Sequence, residues 1–228
     1  PPTGYQLYQG DGKMNGKLTM NNRGLRGAGT IDYLAASVTA NDFVFYPDSV
    51  TAKGTDARLA KSQFGNVSFP QALLTDFEMK WYPKKDEMRI KNVKAPFSFY
   101  DSSAQMQGTI IVSKSGVTGI GKLETRGTEL VSRRMSFQGK DFAARRAKFR
   151  VKSDDPTKPL LQGNDVKLKF DLEQNYADIS PEVEGEAAID FPFAQFKTSI
   201  PKMRWDLDEQ KITMSKDPDV PLENSYFY

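Results

Sequence analysis

Apolar and polar residues alternate one by one along most of the chain. Val166, Leu168, Phe170 and Leu172 are interleaved with Lys167, Lys169 and Asp171; Phe77, Met79 and Trp81 with Glu78 and Lys80; Phe43 and Phe45 with Val44 and Tyr46; Ile212 and Met214 flank Thr213. A period of two sends successive side chains to opposite faces of a strand, so the pattern predicts strands with one face on a core and the other in water. Turn-forming clusters separate the runs: Tyr46-Pro47-Asp48, Tyr82-Pro83-Lys84-Lys85-Asp86, Asp154-Asp155-Pro156, Gly163-Asn164-Asp165 and Asp217-Pro218-Asp219. Helical spacing is scarce, and proline recurs at the breaks, where it opposes long helices. Only residues 70–74 and 193–196 are expected to form short helices. The fold class is therefore all-β, with little helix: extended antiparallel sheets, or a sandwich-like β-solenoid segment.

An internal repeat organises these strands. Gly16-Lys17-Leu18-Thr19-Met20 precedes Gly24-Leu25-Arg26-Gly27-Ala28-Gly29-Thr30-Ile31. Gly108-Thr109-Ile110-Ile111-Val112 precedes Gly116-Val117-Thr118-Gly119-Ile120-Gly121-Lys122-Leu123. The matched positions stand 92 apart (108 minus 16, 121 minus 29) without a gap. A looser match joins Phe69-Pro70, Trp81, Met88 and Ile90 to Phe191-Pro192, Trp205, Ile212 and Met214. The tryptophans are 124 apart (205 minus 81), so the second copy carries an insertion between its glycine block and its Trp block. The copies span 5–99 and 100–216, and 217–228 reads as the start of a further strand or a linker. The opening Pro1-Pro2 and the closing Tyr226-Phe227-Tyr228 suggest a segment of a longer protein. Two long copies suggest stacked β-layers in which each unit covers its neighbour's open end. Gly24, Gly27 and Gly29, with Gly116, Gly119 and Gly121, read as structural turn glycines of tight hairpins, since glycine reaches positive φ without steric cost. The block lacks the Lys-Ser/Thr of a phosphate-binding loop.

Composition narrows the chemistry. The chain has no histidine and no cysteine, which excludes Ser-His and Cys-His nucleophilic systems, His-ligated metals, disulfides and thiolate metal sites. Its 32 basic and 29 acidic residues leave a net charge of only +3, so no global field singles out nucleic acid. No apolar run is long enough for a transmembrane helix. A mean hydropathy of -0.57 is low for a compact globule, yet 15 Phe and 9 Tyr are too many for a disordered tail. A β-structure with much polar surface satisfies both.

Three groups of residues are candidates for function. Asp206, Asp208 and Glu209, and separately Asp154-Asp155, gather carboxylates. A glycosidase needs two facing carboxyls in one cleft, whereas 206–209 also reads as the turn between the Trp205 and Ile212 strands. Phe97, Phe99-Tyr100 and the terminal Tyr226-Phe227-Tyr228 could meet a sugar or a partner strand, or fill a core. The third group is basic: Arg133, Arg134, Lys140, Arg145, Arg146, Lys148, Arg150 and Lys152 surround Phe137, Phe142 and Phe149, with only Asp141 to offset them. It is either a contact for an acidic partner or the wet face of two adjacent strands. No catalytic, cofactor-binding or metal-binding residue is expected.

The run Gly24–Leu34, then Phe43-Val44-Phe45 with Asp48-Ser49-Val50, then Trp81-Tyr82-Pro83-Lys84-Lys85-Asp86-Glu87-Met88 resembles a family of very large periplasmic β-repeat envelope proteins of Bacteroidetes. The resemblance runs the length of the chain and implies no enzyme activity and no cofactor. One member of that family plugs the periplasmic end of the giant outer-membrane β-barrel of the type 9 secretion translocon, in bacteria that use this system for protein transport and gliding motility. The resemblance therefore implies a periplasmic protein associated with the outer membrane. Its partner would be that translocon barrel, with no nucleic acid, no membrane span of its own and no small-molecule substrate. The alternatives are a β-groove that carries lipid or glycolipid, which needs a hollow apolar interior, and a carbohydrate-binding envelope protein, which needs exposed coplanar aromatics.

Overall fold

The computed structural model describes residues 4–155, 157–216 and 226–227. The Asp217-Pro218-Asp219 turn and the segment 217–228, apart from the backbone of Tyr226–Phe227, lie outside the described residues. The fold is all-β and antiparallel. The chain divides into two compact units, residues 1–118 and 119–228, so the packing boundary falls later than the repeat boundary at 99/100.

The first unit holds β1 (Tyr5–Leu7), β2 (Gly12–Asn21), β3 (Gly24–Tyr33), β4 (Ala36–Phe45), β5 (Val50–Gly54), β6 (Asp56–Leu59), β7 (Ser62–Phe64), β8 (Val67–Phe69), β9 (Ala72–Leu74), β10 (Phe77–Tyr82), β11 (Glu87–Asn92), β12 (Phe97–Phe99) and β13 (Ala104–Ser113). β14 (Gly116–Thr125) spans the boundary between the units. Apart from the β7–β8 hairpin, which pairs only with itself, the strands of the first unit form a meander. β1, β2, β3 and β4 pair in sequence. Three broken strands follow, bridging β4 to β13: β5 pairs β10, β10 pairs β11 and β11 pairs β13, while β6 pairs β9, β9 pairs β12 and β12 pairs β13. Each break has a local cause. At Gly54 a Cβ would lie 2.6 Å from the Thr39 carbonyl and 2.7 Å from the Phe77 ring. Asp76 adopts φ 48°, and Pro96 precedes β12. The inward side chains meet around Trp81, which is fully buried, with the Tyr33 ring at 5.1 Å and the Tyr8 ring at 5.5 Å.

The second unit continues with β15 (Thr128–Phe137), β16 (Asp141–Val151), β17 (Leu161–Asp171), β18 (Tyr176–Pro181), β19 (Ile189–Phe191), β20 (Phe196–Thr198), β21 (Lys202–Asp206), β22 (Lys211–Ser215) and β23 (Tyr226–Phe227). β15, β16 and β17 pair in sequence, and then broken strands return: β18 and β19 both pair β17, β21 pairs β18, β20 pairs β19, β22 pairs β21 and β23 pairs β20. Its core packs Phe142 against Phe170, stacked at 4.8 Å, beside Phe137.

The repeat is legible strand by strand. β2, β3 and β4 correspond to β13, β14 and β15 at a spacing of 92, and β5–β6 correspond to β16 (142 minus 50, 151 minus 59). The alternation carries over: Val50, Ala52, Ala57 and Leu59 are buried, and so are Phe142, Ala144, Phe149 and Val151. The insertion in the second copy falls between Val151 and Phe191 and consists of β17 with β18–β19. It stands where the first copy has only the small β7–β8 hairpin. Two added strands keep the antiparallel sense of every strand that follows.

Two expectations from the sequence are corrected. Residues 72–74 and 196–198 are strands; the only helical turns among the described residues are 3-10 turns at Tyr8–Gly10 and Pro83–Lys85. Of the six glycines read as turn glycines, only Gly24 and Gly116 follow turns, Asn22-Arg23 and Lys114-Ser115. Gly27, Gly29, Gly119 and Gly121 lie inside strands. Gly29 faces Gly16 across the β2–β3 ladder, with φ 137° and 150°. A Cβ on Gly29 would sit 2.2 Å from the Asn15 carbonyl oxygen. Gly108 and Gly121 repeat the conformation at φ 142° and 149°. The glycine block thus marks a backbone kink within long strands, and short glycine spacing resembles hairpin chemistry closely enough to mislead.

Gly29→Ala should destabilise the protein by roughly 3–4 kcal/mol through strain and backbone collision. Gly24→Ala, where φ is 98° but a Cβ meets nothing within 4 Å, should cost about 1–2 kcal/mol. Urea unfolding of the two variants checks the order; equal costs would remove the kink interpretation.

Candidate interaction surface

The basic stretch occupies the β15–β16 hairpin. Leu130, Met135, Phe142 and Phe149 point into the core, while Arg133, Arg134, Arg145, Arg146, Lys148 and Arg150 are exposed. Lys140 lies in the turn between the two strands. Arg134 pairs directly with Arg145 across the ladder, a like-charge juxtaposition that costs stability unless a counter-ion is near. Glu182 supplies it: its carboxylate accepts from Arg145 Nη2 at 2.6 Å and from the Arg146 backbone N–H at 3.3 Å. The bulge that brings these groups together is visible in the β16–β17 register, which shifts between Ala144 and Ala147 and again between Ala147 and Phe149. Arg146 sits at φ 48° and Asp165 at φ 57° on its two sides.

Three of the remaining cations of the stretch, Lys140, Arg150 and Lys152, are paired. Lys122 and Lys152 bridge Glu124 and Glu129 at 2.7 to 3.3 Å, and Arg150 reaches Glu129 at 3.7 Å. Hydrogen bonds from Lys122 and then Lys152 hold the Glu124 carboxyl below its usual range; Lys152 and then Lys122 do the same for Glu129. Lys140 pairs with Glu173. The expectation that Asp141 alone offsets the stretch is therefore corrected: four glutamates from other positions do so. Glu129 could have been found by folding the hairpin at its turn, which sets it opposite Arg150. Glu173 and Glu182 could not, because both belong to the inserted strands and their turns.

Arg133, Arg134, Arg146 and Lys148 form no ion pair among the described residues. Arg133 and Arg134 hold the positions that Asn41 and Asp42 hold in the first copy (133 minus 41, 134 minus 42), where Asp42 pairs with Arg26 at 2.6 Å. At this strand position the two copies carry opposite charge. The polar face continues over β17, β18 and β21 as a concavity of about 780 Å³, lined by Arg145, Lys167, Lys169, Lys202 and Arg204, with Asp178 held by Arg204 at 2.7 Å.

The other candidate groups have structural employment. Asp206 Oδ1 accepts from the backbone N–H groups of Asp208 and Glu209 and closes the turn after Trp205. Asp208 pairs with Arg126 at 3.5 Å. Asp155 caps Thr157. Among the described residues, no three carboxylates group as metal ligands. Phe97 and Phe99 are fully buried, and Tyr226–Phe227 continue the sheet beside β20.

No family model, curated protein or solved structure matches this chain.

Burial raises the Glu182 carboxyl, but the Arg145 guanidinium and the Arg146 amide outweigh it and hold the group below its ordinary value of 4.5. A depressed folded-state value means a stabilising contribution that is complete above 4.5 and lost as the pH falls through the lowered folded value. Stability of the wild type measured against pH should therefore drop in that acid window, and Glu182→Gln should be less stable at neutral pH with a shallower acid limb. An unchanged acid limb would mean that the Arg145–Glu182 pair does not form.

Proposed function

We propose that the chain is a non-enzymatic β-scaffold of the bacterial envelope that holds an acidic partner surface through the outer face of its β15–β16 hairpin. Following the resemblance carried by Gly24–Leu34, Phe43–Val50 and Trp81–Met88, the partner is the giant outer-membrane barrel of the type 9 secretion translocon, whose periplasmic end the protein occludes. The supporting observation is the set of exposed cations Arg133, Arg134 and Lys148, without an ion pair among the described residues, on a hairpin whose opposite face is fixed by Leu130, Phe142 and Phe149. A rigid surface that keeps its charges hydrated until a partner arrives suits a contact that must form, hold and release. The aromatic packing around Trp81 and Phe142 favours this reading over a hollow lipid-carrying groove.

Arg133→Glu, Arg134→Glu and Lys148→Glu together should leave thermal unfolding within a few degrees of wild type, since all three are exposed and none forms an ion pair among the described residues. Arg145 is left in place because it neutralises Glu182. In the native host, the tagged wild type gently extracted from membranes should bring down the translocon barrel, identified by mass spectrometry, and the triple variant should lose it. Equal recovery by both would remove the basic face from the contact, and recovery of lipid or glycan without the barrel would remove the plug reading.

A further inference from the structure

The polar face is hollowed at the same place in both copies. In the first unit the hollow holds about 630 Å³ and is lined by Asp42, Lys53, Glu78, Lys80, Arg89 and Lys91. In the second it is the concavity of about 780 Å³ over β16, β17, β18 and β21. Arg145 holds the place of Lys53 (145 minus 53 is 92), and Lys202, Arg204 and Ser215 hold those of Glu78, Lys80 and Lys91 (each 124 apart). The shared fold makes such a hollow, so its presence alone points to no ligand.

The charge inside is what differs. In the first copy one ladder row runs Lys53, Glu78, Lys91, with the acid between two cations. Glu78 meets Lys53 at 2.6 Å, and the hydrogen bond from Lys53, with Lys91 nearby, holds its carboxyl below the usual range. In the second copy the same row has no carboxylate. Arg145 stands beside Lys167, one residue on from the Ala144–Leu168 pair. Lys167 faces Ser180; one residue on from the Ile179–Met203 pair, Ser180 meets Lys202, which faces Ser215. Lys202 thus occupies the place of the neutralising acid, and the insertion adds Lys167 and Lys169. Five cations and one carboxylate line the second hollow, against four cations and two carboxylates in the first.

The two arginines of the second hollow are already committed, Arg145 to Glu182 and Arg204 to Asp178 through bonds of 2.7 and 2.9 Å. Lys167 and Lys169 are exposed and form no ion pair among the described residues. Neighbouring strands lie about 4.8 Å apart and same-face residues of one strand about 7 Å apart, so Lys167, Lys169 and Lys202 rise from points within about 12 Å of one another. A flat acidic wall cannot enter the hollow, whose volume is that of a small-molecule site. No aromatic side chain lines it on which nucleic-acid bases could stack. Carboxylates suit the arginine fork, which is occupied, whereas ammonium groups bind phosphate as point charges. The hydroxyls of Ser180, Thr213 and Ser215 line the same hollow and can donate to phosphate oxygens.

We infer that the hollow over β17, β18 and β21 is a binding site for a compact soluble anion with two or more phosphate groups, held by Lys167, Lys169 and Lys202. The site goes beyond the barrel contact proposed above and uses none of Arg133, Arg134 and Lys148.

Calorimetric titration of the 228-residue chain with sodium tripolyphosphate at about 0.15 M ionic strength tests it. One tripolyphosphate should bind per chain, at least about tenfold more tightly than orthophosphate. Lys202→Glu, which gives this position the charge it has in the first copy, should weaken binding at least about tenfold, and so should Lys167→Gln with Lys169→Gln. Lys91→Glu changes the net charge as much as Lys202→Glu does, but in the first hollow, and should bind as the wild type does. All four lysines are exposed, so circular dichroism should show the strands intact in every variant. Phosphatidylcholine vesicles containing phosphatidylglycerol should not sediment the protein at that salt. Absence of tripolyphosphate binding, equal affinity for orthophosphate, or capture by the vesicles in place of tripolyphosphate would overturn the inference. So would a Lys202→Glu variant that binds normally, or an equal loss in Lys91→Glu, which would mean that net charge alone attracts the anion.

Discussion

Along the long strands of this protein the apolar face is dry where a neighbouring strand flanks it, and much of the architecture follows from that constraint. Ile110 and Val112 on β13 are fully buried because β11 lies alongside; Leu18 and Met20, which hold the same places on β2, are not. The side chains are similar in size and polarity, so the difference lies in the neighbour and not in the residue. Alternation sets which face is apolar, but lateral pairing sets whether that face is dry. This also explains why the second copy grew by two strands. One added strand would have reversed the direction of β20–β23, whereas a pair of strands leaves it intact.

Long strands need relief from their own twist, and the two copies share one solution. Gly16 and Gly29 approach so closely that neither tolerates a Cβ, and both adopt a conformation rarely open to other residues. The kink falls between Met14, which is buried, and Leu18, which is not. It therefore separates the portion of β2 covered by β1 from the portion with an open edge. Gly108 and Gly121 keep the same backbone in the second copy although most other residues of β13 and β14 have changed. A backbone requirement of this kind is retained where side-chain identity is not.

Much of this was readable before the structure. Period-two alternation identified the strands around Phe77–Trp81 and Val166–Phe170, and the spacing of 92 aligned β2–β4 with β13–β15. The difference between 92 and 124 foretold an insertion, though not that it would be a hairpin. What stayed hidden depended on which strands become neighbours. The glycines inside β3 and β14 looked like turns because local spacing does not reveal a cross-strand approach. The basic stretch looked uncompensated because Glu173 and Glu182 come from the inserted strands, more than a turn away in sequence. The broken strands were invisible as such: only their shared partner β4 shows β5 and β6 to be one interrupted element.

The charge on the outer faces follows the same logic as the apolar residues on the inner ones. Where a cation has a neighbour across the ladder, a carboxylate usually stands within reach, as Lys53 has Glu78, Arg204 has Asp178 and Arg145 has Glu182. Exposed pairs of this type add little stability, but they neutralise a face that would otherwise repel itself. Arg133 and Arg134 depart from the rule where the first copy carries Asn41 and Asp42, and Lys148 where it carries Asp56 (148 minus 56 is the same 92). Since the folds of the two strands agree there, the reversal of charge cannot be traced to a packing need. Covering those cations with carboxylates would cost little desolvation at an exposed rim, would fix orientation more than it adds affinity, and would weaken as salt rises. A contact with those properties is reversible by construction, which is the physical quality that an occluding subunit, unlike a permanent one, requires.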